Sequence, residues 1–497
     1  MPGDDEIMNK TRTRFAPSPT GYMHIGNLRT ALFEYLIAKH DDGTFILRIE
    51  DTDQAREVEG ATDIIFDTLK CVGMNWDEGP DIGGEYGPYI QSERLPMYRG
   101  YADRLVEMGK AHYCFCTEET LEQQREEQGD SFVFKDPCKH LTEEEIQEKL
   151  DQNTPYVIRQ TIDHVGEQDF DDEVYGHIEV DGDLLDEQIL IKSDGFPTYN
   201  FANVIDDHQM EISHVVRGNE YLSSTPKYNL LYDAYGWERP TYVHVPPVMK
   251  DEHHKLSKRN GDASFQDLVK KGYLPEAIIN YIALLGWSPE GEQEIFSLDE
   301  LKEAFDIHRI SKRPAIFDID KLTWMNSEYI KAMSKEDFYA KVEPYLQNAI
   351  TKDMDFHYIA ELIQTRIDRF DQEEITDKID FLEELPKDYD LEMYRHKRQK
   401  STKEKSVVSL KAAYQALENL NDWTEKALEE TMMELPAKLE VKNSVIFWPI
   451  RTALSGKRAT PGGAIEIAYL LGKEESLARI KTGIVRLEED LAQAENK

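Results

Sequence analysis

Apolar positions change period twice within the first fifty residues. Thr13 to Ala16 is a short extended run, closed by Pro17, Pro19 and Gly21. Leu28, Leu32, Tyr35 and Leu36 then recur at helical spacing on one face. Asp42-Gly43 makes a turn, and Phe45-Ile46-Leu47-Arg48-Ile49 is a second extended run. Strand, helix, strand in this order is a βαβ unit, which implies parallel strands and a ligand site at their carboxyl ends. Ile65, Leu69 and Val72 make a further helical face, as do Tyr98, Tyr101, Leu105 and Met108. Cys71 falls on the first of these helices and is expected in the core.

From about Ala111 to Ile189 the pattern becomes short β-like runs, an acidic tract and a group of cysteines, which reads as an insertion. Ile189-Leu190-Ile191 and Val215-Val216 return to buried-strand composition. Beyond Pro314 helical spacing dominates. Val407, Leu410, Tyr414 and Leu417 form one stripe, and Ile465 to Leu471 form another that Gly472 stops. The last third therefore reads as an all-α module.

With 497 residues, 40% of them hydrophobic and 10% aromatic, the chain predicts roughly three to five domains with ample core. No run of about 18 apolar residues occurs. The start, MPGDDEIMNK, has no apolar signal region, so a soluble, cytoplasmic protein without membrane attachment is expected. A net charge of −39 opposes indiscriminate binding of polyanions. Its distribution is uneven, however. Arg395, Lys397, Arg398, Lys400, Lys403 and Lys405 surround a single Glu404, and Lys255, Lys258 and Arg259 cluster in mid-chain. The first run suits either phosphate contact or a loop that offsets acidity.

Four cysteines are too few to staple a chain of this size. Cys114-Phe-Cys116 is followed after 21 residues by Cys138-Lys-His140. In extended structure residues two apart share a side, so each pair can bite one ion. The spacing predicts a tetrahedral Cys₃His zinc site of Cys114, Cys116, Cys138 and His140, one ion per chain. Three reduced thiols and a surface His140 are the plainer alternative.

Two strings point to phosphate chemistry. In Arg14-Phe-Ala-Pro-Ser-Pro-Thr-Gly-Tyr-Met-His24-Ile25-Gly26-Asn27 a strand ends, prolines stiffen a turn and a histidine opens a helix. A helix N-terminus favours negative charge, the histidine can donate to phosphate oxygens, and Gly26 permits close approach of a ring or phosphate. A capped turn would look similar. The second string, Lys255-Leu-Ser-Lys258-Arg259 before Asn260-Gly261, is a cationic loop suited to a triphosphate, although a solvated basic turn shares its composition.

Together these strings resemble the HIGH and KMSKS signatures of class I aminoacyl-tRNA synthetases. The flanking residues resemble bacterial-type glutamyl-tRNA synthetases more closely still. The strings that carry this are Ala16-Pro-Ser-Pro-Thr-Gly21, Arg48-Ile-Glu-Asp-Thr-Asp53, Ser193-Asp-Gly-Phe-Pro-Thr-Tyr199, Asn203-Val-Ile-Asp-Asp-His208 and Leu284-Leu-Gly-Trp287. They occur in family order, and the likeness runs from about residue 12 to the end. Asn27 ends the HIGH string and KMSKS reads KLSKR, changes that the family accepts.

The resemblance implies an α/β fold with a Rossmann-type parallel-sheet catalytic domain at 1–110 and 190–250. It implies an inserted acceptor-stem-binding domain with the zinc site at 111–189, a stem-contact region with the KLSKR loop at 251–330, and an α-helical anticodon-binding region at 331–497. The implied reaction is ATP-dependent ligation of L-glutamate to the 3′ end of tRNA(Glu) through a glutamyl-adenylate, with Mg²⁺ and release of AMP and pyrophosphate, by a monomer. Zinc occurs in some members of the family and not in others.

By the same resemblance His24, Lys255 and Lys258 carry catalysis, and His24, Gly26, Glu220 and Lys258 hold ATP. No protein nucleophile is needed, so catalysis rests on positioning and charge stabilisation. Glutamate falls to Arg14, Ser18, Glu50, Tyr199, Asn203 and Arg217. Arginine forks fit carboxylates, Glu50 faces the ammonium, and Arg217 selects acid over amide because an amide leaves its guanidinium without a counter-charge. Arg366, Arg451 and Thr460 fall where the family contacts the anticodon. Taken singly, Tyr199 and Asn203 would also suit core or turn positions, Arg14 an ordinary ion pair, and Arg366 or Arg451 a solvated helix face. Three other readings compete: a non-discriminating enzyme that also charges tRNA(Gln), a glutaminyl enzyme, whose N-terminal string usually differs, and a tRNA-binding protein without catalysis. Intact His24, Lys255 and Lys258 weigh against the last.

Overall fold

The computed structural model describes residues 10–53, 58–129, 134, 136–163, 165–257 and 264–495. They form two compact units. One runs to Lys270 and resumes over Pro275–Leu322; the other comprises Lys271–Leu274 and Thr323 onward.

In the first unit β1 (Arg12–Phe15) pairs in parallel with β2 (Thr44–Leu47), Arg12 opposite Thr44 and Phe15 opposite Leu47. The helix Ile25–His40 connects them and buries Leu28, Leu32, Tyr35 and Leu36, the face expected from their spacing. Asp42 turns the chain with φ 52°, and a side chain at Gly43 would collide with the Thr11 carbonyl. The other strands are, in chain order, β3 (Ala111–Cys114), β4 (Val157–Gln160), β5 (Glu167–Asp172), β6 (Gly176–Asp181), β7 (Ile189–Ile191), β8 (His214–Gly218), β9 (Thr241–Val245), β10 (Val248–Met249) and β11 (Ala315–Ile316).

β8 and β9 are parallel in a sheet ordered β6-β5-β9-β8. Ser213, just before β8, fastens β1 to it: its hydroxyl accepts from the Arg12 N–H at 2.8 Å and its own N–H donates to the Arg12 carbonyl at 3.0 Å. β3, β4 and β7 form a separate antiparallel sheet. Ile189 to Ile191, read from sequence as a return to buried strand, thus pairs with the insertion's own β4, since strand composition does not encode a partner. Cys71 also departs from expectation: it is exposed at the end of the helix Ala61–Cys71. It lies two residues beyond the buried Leu69, about 200° round the helix.

The second unit is built of helices, among them Lys335–Ala349, Gln372–Glu383, Lys403–Glu418, Asn443–Ser455 and Ala464–Glu495. On Lys403–Glu418, Leu410 and Leu417 are fully buried, while Val407 and Tyr414 are half-buried. Gly472, at φ 75° and ψ 171°, is not helical: as expected it stops the helical run that begins at Ala464, and a second helix continues from the kink to Glu495. The helix resumes because Ile480 and Leu487 lie beyond the kink on a buried face. Among the described residues no helix is long and apolar enough to cross a membrane.

Candidate active site

The ends of β1 and β8 border a cavity of about 230 Å³, lined among others by Arg14, Ser18, Glu34, Glu50, Tyr199, Arg217, Glu220 and Tyr221. Most of the residues expected to hold the amino acid are therefore together. Asn203 is not part of that lining among the described residues. It lies one helical turn on from Tyr199, is buried, and donates to the Tyr199 carbonyl at 2.7 Å.

Beneath the cavity lies a buried network of arginines and carboxylates. Arg14 donates to Asp207 through Nε at 2.8 Å and Nη2 at 3.1 Å, and to Glu34 through Nη1 at 3.0 Å. Arg48, with no exposed surface, donates to Asp207 at 2.9 Å and to Glu50 at 3.0 Å. Asp206 accepts from Arg94, Gln91 and Tyr98 at 2.7–2.9 Å. Burial works against charge on Asp207, but Arg14 and Arg48 outweigh it and hold its carboxyl down at about 2. Burial dominates at Glu50 and pushes its carboxyl up to about 7 in spite of Arg48.

Arg14 and Arg217 differ sharply. Each of the three Arg14 nitrogens has a carboxylate partner, whereas Arg217 reaches Asp207 only at 3.9 Å. Among the described residues its Nε and Nη1 are buried with no hydrogen-bond partner, and its guanidinium lies 5.0 Å from the Tyr228 ring centre and 5.6 Å from that of Tyr221. Glu50 Oε2 is likewise buried and unpartnered. Unpaired donors and acceptors this deep are costly unless something completes them.

His24 caps the helix Ile25–His40. Its Nδ1 accepts from the Gly26 N–H at 3.0 Å, which places the ring proton on Nε2, 3.1 Å from the Leu256 carbonyl. The two signature strings, remote in sequence, thus touch. Lys255 is exposed and bridges Met249 through its backbone. Lys258 lies outside the described residues. Glu220 borders the cavity and is exposed.

Sequence reasoning gave no role to Glu34, Arg48, Asp206 or Asp207. The signal was present. Each is a charge inside an apolar stretch, as in Phe33-Glu34-Tyr35, Leu47-Arg48-Ile49 and Val204-Ile205-Asp206-Asp207. Charges are almost never buried singly, so such positions ask for partners.

In the insertion, Cys114, Cys116 and Cys138 gather with Asp136, their ligand atoms within 4.8 Å of one another. His140, expected as the fourth ligand, is exposed at the end of the short helix Pro137–His140 and is not in this group. Asp136 stands in the group because it caps the same helix, accepting from the Cys138 N–H at 2.9 Å. It is also held by His112 at 3.0 Å, and Arg159 donates to Cys114 Sγ at 3.4 Å. Three sulfurs and a carboxylate suit a divalent metal ion.

Residues 10–324 match the family described as tRNA synthetases class I (E and Q), catalytic domain. The chain belongs to that family. Residues 337–484 match an anticodon binding domain. A glutamate–tRNA ligase of Clostridium botulinum is 59% identical over 484 residues, 97% of this chain and 99% of that one. One from Clostridium tetani is 57% identical over 488 residues, 98% and 99% of the two chains. The crystal structure of a glutamate tRNA ligase from Elizabethkingia meningosepticum, in complex with its amino acid, superposes with a TM-score of 0.86 at 34% identity. It covers 96% of this chain and 100% of that chain.

In this class I synthetase the helical unit brings Arg451 and Thr460 together. Arg451 donates to Thr460 Oγ1 at 3.0 Å and to the Arg458 carbonyl at 2.8 Å, and lies 4.5 Å from the Trp448 ring centre. Arg366 is exposed on the turn after the helix Phe356–Ile363.

Proposed function

We propose that the chain ligates L-glutamate to the 3′ end of tRNA(Glu) through a glutamyl-adenylate, releasing AMP and pyrophosphate. The observation that carries glutamate is Arg217, with two buried, unpartnered nitrogens on a cavity that Arg14 also lines. A guanidinium in that state asks for a planar anion. An amide would leave it unpaired, at about 1–3 kcal/mol. Glu50 Oε2 is an acceptor for the substrate ammonium. The relatives named as glutamate–tRNA ligases support the same substrate.

The substrate α-carboxylate attacks the α-phosphorus of ATP, and pyrophosphate leaves. The terminal ribose hydroxyl of the tRNA then attacks the mixed anhydride and AMP leaves. His24 exchanges its bond to Leu256 for one to phosphate, at the positive end of the helix Ile25–His40. Lys255 and Lys258 neutralise the departing diphosphate, and Gly26 and Glu220 border the nucleotide. Mg²⁺ travels with the phosphates and screens their charge. Ser18, Tyr199 and Asn203 complete the amino-acid site, Asn203 by holding the Tyr199 backbone.

On this reading residues 111–189 grip the acceptor stem, 251–330 the stem beyond it, and 331–497 the anticodon through Arg366, Arg451 and Thr460. The anticodon-domain match at 337–484 supports that division. The enzyme works as a cytoplasmic monomer. Its metal group takes one zinc ion, with thiolates Cys114, Cys116 and Cys138 and a fourth ligand from Asp136 or His140. Metal analysis should give about one equivalent, lost in either Asp136→Asn or His140→Ala; less than about a tenth of an equivalent in the parent removes the site.

The decisive assay charges tRNA(Glu) and tRNA(Gln) side by side with labelled glutamate and labelled glutamine. Glutamate on tRNA(Glu) is expected. Glutamine in its place overturns the reading, and glutamate on both tRNAs makes the enzyme non-discriminating.

A further inference from the structure

Glu34 is a carboxyl in this pocket that the reaction above does not use. It stands on the helix Ile25–His40 with no exposed surface and lines the cavity beside Arg14, Tyr199 and Arg217. Its Oε1 accepts from Arg14 Nη1 at 3.0 Å and from the Val216 N–H at 2.9 Å. Its Oε2 is buried with no partner among the described residues. We propose that Glu34 binds substrate as a neutral carboxyl, donating its Oε2 proton to the side-chain carboxylate of glutamate and so helping to select the acid over the amide. The proposal rests on glutamate being the substrate.

Among the described residues either charge state leaves Oε2 one hydrogen bond short. Ionised, it lacks a donor; protonated, it lacks an acceptor. A carboxylate ligand, an acceptor at both oxygens, completes the protonated form and Arg217 together, whereas an amide has one oxygen for the two donors and turns its NH₂ toward the other. Charge balance points the same way. Arg14, Arg48, Arg94 and Arg217 are answered by Glu34, Glu50, Asp206 and Asp207. With all eight ionised the network is neutral, and a further buried carboxylate would stand in excess. With Glu34 neutral, one positive charge is left over, which the substrate side chain matches.

The charged groups facing Glu34 are Arg14 from β1, Asp207 from the helix Tyr199–Gln209 and Arg217 from β8. β2 carries no charge. Of the two helices packed on the same element, Pro275–Ala283 exposes Glu276, and Leu298–Ala304 lays Lys302 over the Tyr35 ring. Burial, only partly offset by Arg14 and the Val216 N–H, pushes the Glu34 carboxyl up to about 8. The binding form therefore prevails at neutral pH and is lost as pH rises through that value.

The test is KM for glutamate from pH 7 to about 9.5, at saturating ATP and tRNA, in the parent and in Glu34→Gln. The parent should show KM rising toward tenfold per pH unit above the transition. Glu34→Gln, which keeps a donor and cannot ionise, should lose that rise; deprotonation of the substrate amine is common to both and cancels in their ratio. Identical profiles overturn the proposal while leaving glutamate as substrate. Failure of both proteins to charge glutamate at any pH overturns the substrate reading instead. Should Glu34→Gln not fold, calorimetry of glutamate binding to the parent near pH 8.5, in two buffers of different ionisation heat, decides. Uptake of about half a proton or more, well beyond the roughly one-tenth that the substrate amine itself takes up, supports the proposal, and uptake no larger than the amine's overturns it.

Discussion

Three buried arginines near the cavity and three exposed ones in the helical unit live under different rules. Arg14, Arg48 and Arg217 have almost no exposed surface, so each charge must be answered by something close. Arg366, Arg395 and Arg398 are exposed, and solvent screens their charge, including the Arg395 pair with Glu392 at 3.4 Å. Even within the basic run the rule holds: Lys403, the buried member, bonds Asp490 and Glu392 at 2.7 Å each, while its neighbours face solvent. A buried arginine whose nitrogens lack both carboxylate and carbonyl partners among the described residues is therefore informative, because a ligand can supply what the protein does not. An unpaired exposed arginine says nothing of the kind.

Four substitutions break or sharpen that contrast. Arg217→Met should lower kcat/KM for glutamate by about a thousandfold or more with the thermal midpoint close to that of the parent, because the residue answers substrate more than protein. A comparable loss of stability would move Arg217 into the structural class. Arg48→Met should do the reverse, lowering the unfolding free energy in urea by about 3–5 kcal/mol, since Asp207 and Glu50 lose a buried partner. Arg451→Ala should weaken tRNA by about 1–3 kcal/mol, seen as a raised KM for tRNA with KM for glutamate unmoved. A change in glutamate KM alone would withdraw its assignment to the anticodon. Arg395→Gln, whose ion pair with Glu392 is solvated on both sides, should leave the urea midpoint where it was.

Much of the catalytic unit was legible because its signals are local. The period change from Thr13–Ala16 to Leu28–Leu36 and back to Phe45–Ile49 describes β1, the first helix and β2, with strand ends shifted by a residue or two. The stop at Gly472 was legible for the same reason, since a glycine at positive φ ends a helix locally, whereas the second helix that follows it belongs to the packing of the whole unit. Cys71 misled because one helical residue more or less rotates a side chain by about 100°.

The sequence by itself determined the family, through short strings whose order survives any folding detail, and the residue types that reach the cavity. Tertiary structure alone decided how those residues divide their bonds. Asp207 stands 193 positions from Arg14 and takes two of its nitrogens, and Asp136, by capping a turn, stands within the cysteine group while His140 lies outside it. No spacing rule foresees either, because desolvation and counter-charge are set by what the fold places alongside and not by neighbours in the chain.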